Sequence, residues 1–132
     1  MKSHAVKKGL IVLGLMVFGM TLFSNLSIAK APIDATESIA GILMGLNHFP
    51  SDAEKEALME ISNDSANSKN IQTIAKVVQN FAHRASADEK AALKMIAEDS
   101  GATDAEKTLA GILADFEHTA SADAKAKLGE LQ

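Results

Sequence analysis

Ile39-Ala40-Gly41-Ile42-Leu43 recurs as Leu109-Ala110-Gly111-Ile112-Leu113, and Ile74-Ala75-Lys76-Val77-Val78 stands midway between them, 35 residues from each. His48, His83 and His118 keep the same offset. So do Ser51, Ser86 and Ser121; Lys55, Lys90 and Lys125; and Leu58, Leu93 and Leu128. An apolar, a basic, a hydroxyl and an imidazole position in one register identify an internal repeat, the sequence mark of a modular architecture. The units run 38–72, 73–107 and a shorter 108–132.

Each unit reads as two helices. The first carries apolar residues at i, i+3, i+4 and i+7: Ile39, Ile42, Leu43, Leu46; Ile74, Val77, Val78, Phe81; Leu109, Ile112, Leu113, Phe116. That spacing lines one face of an amphipathic helix. The second helix opens at Ser51 and Ser86, with Glu54 and Glu89 three residues on. This is a capping box: the hydroxyl takes an orphan backbone N–H and the carboxylate reaches back to the serine N–H. Ser121 keeps the cap, but Ala124 stands where the glutamate would be, so the last helix is expected to fray. The second-helix stripes of the first two units are Ala57, Leu58, Ile61 and Ala92, Leu93, Ile96. Asp34 with Glu37, and Thr103 with Glu106, mark further helix starts. Residues 63–69 and Ser100-Gly101 read as loops, with Gly101 suited to a left-handed helix-closing position.

The expectation is an all-α chain of six helices in three antiparallel pairs, stacked so that neighbouring pairs bury each other's stripes. Two arrangements satisfy it, a short right-handed α-solenoid and a compact six-helix bundle. Identical apolar positions in every unit favour the solenoid. The repeat length is similar to that of tetratricopeptide repeats, but that family's Trp, Gly and Tyr positions are not met and the chain has no Trp or Tyr.

Ahead of the repeats, Lys2, Lys7 and Lys8 precede an apolar run from Gly9 to Met20, and then a small-residue segment. This predicts a cleavable secretory signal over 1–29, cut after Ser27-Ile28-Ala29, with 30–37 as lead-in to the repeat domain 38–132. The expected location is periplasmic or secreted. The chain from Lys30 onward would carry ten basic and seventeen acidic residues, a net charge of −7. Such an excess argues against nucleic-acid and anionic-membrane partners. There is no cysteine, so stability must come from helix packing.

The chain shows no Cys nucleophile, no Gly-rich phosphate loop and no His-Glu-x-x-His helix, so no enzyme and no cofactor is expected. The serines near the histidines are explained as N-caps. His48, His83 and His118 end the first helices, three residues before each serine cap, and fall off the apolar stripe. A histidine there can serve a helix end by bonding its last carbonyls. It can also be a metal ligand, and these three are the only metal candidates. In a linear stack, however, equivalent helices lie about 8–10 Å apart, too far for one ion to gather all three imidazoles. The leading functional reading is therefore a non-enzymatic exported protein that binds another protein on a solenoid face, chaperone-like or toxin-neutralising. The alternative is a histidine-dependent carrier of a metal or small ligand.

Overall fold

The computed structural model describes residues 34–132. The expected signal segment, 1–29, lies outside them. Six helices follow one another: α1 (Ala35–Gly45), α2 (Asp52–Asn63), α3 (Lys69–Gln79), α4 (Ala87–Glu98), α5 (Asp104–Ala114) and α6 (Ala122–Gly129). No strand occurs among the described residues, and none of their helices is long and apolar enough to cross a membrane.

The caps explain the starts. Ser51, Ser86 and Thr103 each form a complete capping box, with Glu54, Glu89 and Glu106 respectively. Asp34 caps α1 by accepting from the Thr36 N–H, and Ser68 caps α3 by accepting from the Ile71 N–H. Ser121 accepts from the Ala124 N–H but has no glutamate to complete a box, and α6 is the shortest helix, at 8 residues.

Two kinds of helix emerge. α1, α3 and α5 touch one another and form the inner layer. Their stripes make the core: Ile39, Leu43, Ile74, Val78, Leu109 and Leu113 are fully buried. α2, α4 and α6 lie outside and each sinks one leucine completely, Leu58, Leu93 or Leu128. The rest of the expected outer stripe is shallower, and Ala57 is exposed. An outer helix is covered along one narrow seam only.

The pairing is out of step with the sequence units. α2 packs most extensively on α3, and α4 on α5, so each outer helix pairs with the inner helix of the next unit. The last outer helix, α6, has no following unit. It packs on α1, the first inner helix. The repeat therefore closes on itself. This corrects the preference for a solenoid: among the described residues the three units form a closed six-helix ring with no free end units.

Glu106 shows how neighbouring units are tied. The residue is 5% exposed. It accepts from Ser68 Oγ, from Asn70 Nδ2 at 3.1 Å and from the Thr103 N–H at 3.0 Å. Burial alone would raise its pKa, but these three hydrogen bonds outweigh it and hold the carboxyl below the ordinary glutamate value. The start of α5 is thus bonded to the start of α3 through a satisfied buried acid.

Candidate functional site

The loops joining inner to outer helices carry the three histidines, and each is built on one plan. Two residues before the histidine is a buried apolar anchor, Leu46, Phe81 or Phe116; two residues after it is another, Pro50, Ala85 or Ala120. The three residues between each pair of anchors, with histidine at the centre, are exposed. Each loop is an arch pinned at both feet. The Phe81 and Phe116 rings meet edge to face, with centroids 5.2 Å apart, an attractive aromatic geometry that locks two of the feet together.

The arches meet. The His48 N–H donates to the His118 carbonyl at 2.9 Å, the His118 N–H to the His83 carbonyl at 2.7 Å, and the His83 N–H to the His48 carbonyl at 2.8 Å. These bonds form a cycle of three peptide groups, a pseudo-threefold ring at the point where all three units converge. Such a cycle cannot form in an open stack.

Closing the cycle requires an unusual backbone. His48, His83 and His118 have φ of 76°, 72° and 66°, and they are the only described residues with positive φ. At His48 and His118 the flanking residues also bond across the turn, Phe49 N–H to the Asn47 carbonyl at 3.0 Å and Thr119 N–H to the Glu117 carbonyl at 2.6 Å. That is the γ-turn with a left-handed central residue, a rare and strained form. Gly101, expected in the left-handed region, is not there. Its N–H donates instead to Asp99 Oδ1 at 2.8 Å, which turns the chain without positive φ. Among the described residues, left-handed backbone is therefore absent from the glycines and present at three histidines, although a glycine would adopt it without steric cost.

The imidazoles cluster accordingly. Ring centroids are 5.2 Å apart for His48 and His83, 5.4 Å for His48 and His118 and 5.4 Å for His83 and His118. The expectation that the three stand too far apart to share one ion is thereby overturned, because it assumed a linear stack. For a tetrahedral ion with metal–nitrogen bonds of about 2.0–2.1 Å, the bound imidazole centroids stand about 5 Å from one another. The spacing matches. The donor atoms do not yet converge, since no group of three or more His, Cys, Asp or Glu stands ready to hold an ion among the described residues. Convergence requires rotation about χ1 and χ2, which exposed rings have room to make and which is inexpensive about the broad χ2 of histidine.

One ring is oriented by its chain neighbour. His48 Nδ1 lies 2.6 Å from Asn47 Oδ1. The amide oxygen only accepts, so Nδ1 donates and the lone pair of the neutral ring is left on Nε2. The equivalent neighbours are Ala82 and Glu117, so this support does not repeat. Elsewhere, a cleft of about 560 Å³ beside the third arch mixes Lys107 and Lys127 with Asp115, Glu117 and Asp123. The sequence repeat singled out His48, His83 and His118 but gave no sign of the backbone cycle that brings them together. The chain matches no family model, no curated protein and no solved structure.

Proposed function

We propose that this is an exported, non-enzymatic protein that binds one divalent transition-metal ion on His48, His83 and His118. The observation that carries the reading is the ring of three imidazole centroids 5.2–5.4 Å apart. The left-handed backbone gives it further support. Each strained residue costs about 1–3 kcal/mol and persists where surrounding structure enforces it, typically at functional sites. Glycine would satisfy the same backbone ring, yet all three units carry an imidazole. The protein-partner reading drew on the concave face of an open solenoid, which the closed ring does not supply.

An all-nitrogen set of neutral imidazoles suits zinc, copper and nickel, with copper(II) bound most tightly in the usual order of divalent ions. Export rests on the sequence of residues 1–29 and would place the site outside the cytoplasm.

Calorimetric titration with zinc or copper should give one ion per chain. Bound to the native state alone, an ion at a hundred times its dissociation constant stabilises by about 2.7 kcal/mol. For a domain this size that raises the melting temperature by roughly 10 °C or more. The triple variant His48→Gly, His83→Gly, His118→Gly keeps the backbone cycle accessible and should lose both effects. Stabilisation that persists in the triple variant, or no saturable binding to the wild type, would overturn the proposal.

A further inference from the structure

The three units repeat in sequence, but their solvent sides are not alike. At one register each inner helix carries Gly41, Lys76 or Gly111. In the first unit the Gln132 side-chain nitrogen stands 3.2 Å from where a Cβ on Gly41 would lie. In the second, Lys76 brings a long side chain of its own to that register. In the third, a Cβ added to Gly111 would meet nothing within 4 Å among the described residues. Here α5, the third arch and the start of α6 line the cleft of about 560 Å³, which is within the usual size of a small-molecule site. We propose that this cleft binds a short peptide by its two free termini.

The charges that line the cleft are sorted along its length. Asp115 caps the end of α5, Glu117 lies in the arch, and Asp123 is in the first turn of α6. The two lysines lie farther from the arch. Lys107 is about 12 Å back along α5 from Asp115, and Lys127 about 6 Å on along α6 from Asp123, at 1.5 Å per residue. α5 ends and α6 begins at the arch, so their terminal partial charges there are opposite in sign and offset each other. The side chains therefore set the field, acidic at the arch and basic away from it. A ligand that suits both ends carries an ammonium and a carboxylate roughly 6–12 Å apart. The two charged groups of a free α-amino acid share one carbon and are too close together. An extended chain of three residues spans roughly 10 Å. Between the charged ends, half-buried Ile112 and Ala124 offer apolar surface to small side chains. This pattern belongs to the third unit alone. The places of Lys107 and Lys127 are taken by Gln72 and Ala92 in the second unit, and by Glu37 and Ala57 in the first. The cleft needs no ion on the histidines.

Trialanine with both termini free is the probe, added to the isotope-labelled, metal-free protein and followed through amide chemical shifts. Saturable shifts should centre on Gly111, Asp115 and Ala124. Free alanine, N-acetylated trialanine and C-terminally amidated trialanine should each bind about fivefold more weakly or worse, the scale of one or two surface ion pairs. The double variant Lys107→Gln, Lys127→Gln should weaken trialanine to the same degree and leave the amidated peptide unchanged. Gly111→Gln puts a neutral side chain into the cleft and removes a glycine from a helix interior, which favours the fold. It should abolish the shifts without lowering the melting temperature. No saturable shifts, shifts centred away from α5 and α6, equal affinity for trialanine and its amidated form, or binding that survives Gly111→Gln would each overturn the proposal. Titration of the same protein with zinc then reads the histidines separately, so this proposal and the metal reading can fail independently.

Discussion

A histidine at φ of 66–76° is a conflict between side chain and backbone. The left-handed region brings Cβ toward the carbonyl oxygen, and histidine, though tolerated there better than most, is still strained. The strain makes a single substitution informative. His83→Gly removes the steric cost, about 1–3 kcal/mol, and adds backbone freedom to the unfolded chain worth roughly 0.5–1 kcal/mol. Metal-free His83→Gly should therefore be as stable as the wild type or more so, by up to about 2.5 kcal/mol on this balance, while its metal affinity falls. Chemical denaturation with and without zinc checks both halves. A large loss of metal-free stability would mean that the imidazole is needed for packing, and the strain would then have a structural explanation. This position was only half legible in the sequence. The repeat marked His48, His83 and His118, but conformational preference assigned left-handed backbone to Gly101. The preference is real and was outweighed by three inter-unit hydrogen bonds that no local pattern encodes.

Between residue and fold, the helices differ in how firmly they are held. Most starts were legible because a capping box is a contact between neighbours in sequence, and the Ser/Thr–Glu pairs read from the sequence all form boxes; the start of α3 was not, since Ser68 caps it without a glutamate partner and Lys69, read as loop, is its first residue. Pairing was not legible, since the same apolar stripe can pack on the preceding or the following helix. α6 is the weak element. It has eight residues and no box, its one fully buried residue is Leu128, and it packs on α1 across the seam between the last and the first described helix, which no loop links. His118 sits in the arch that leads into it. An ion shared by His48, His83 and His118 ties that arch to both other units, which should hold α6 in place. Amide exchange in residues 122–129 should then slow by more than tenfold on adding saturating zinc, whereas α3 and α4 should change less. Local opening is the route by which such a short terminal helix exchanges. Uniform slowing across all six helices would instead mean that the ion acts only on global stability.

At the scale of the whole molecule, whether a helical repeat closes or extends depends on the rotation between successive units. A ring of three needs about 120° per unit, and smaller rotations give an open superhelix. The apolar register is identical in both cases, which is why composition and periodicity read the helices correctly and left closure undecided. Closure nevertheless has a testable consequence: the position of the chain ends becomes arbitrary. The Gln132 side-chain nitrogen stands 3.2 Å from where a Cβ on Gly41 would lie, so the C-terminus rests against the middle of α1. Asp34, at the start of that helix, is about 10 Å further along at 1.5 Å per residue. A six-residue Gly/Ser linker spans roughly 13 Å and can join the ends. New ends can be opened between Ser100 and Gly101, both exposed in the loop that joins α4 to α5. In that circular permutant the seam between α6 and α1 becomes a covalent hairpin. The more extensive pair α4–α5 takes over as the non-covalent seam, and its larger interface suits it to hold without a linker. The permutant should retain the helical circular-dichroism spectrum, melt cooperatively and bind one ion per chain, because the three arches and their backbone cycle are untouched. An open stack would behave otherwise: a short linker could not reach from the last unit to the first, and the permutant would lose helix or aggregate. A folded permutant without metal binding, set against a wild type that binds, would show that the arches depend on the original connectivity as well as on closure.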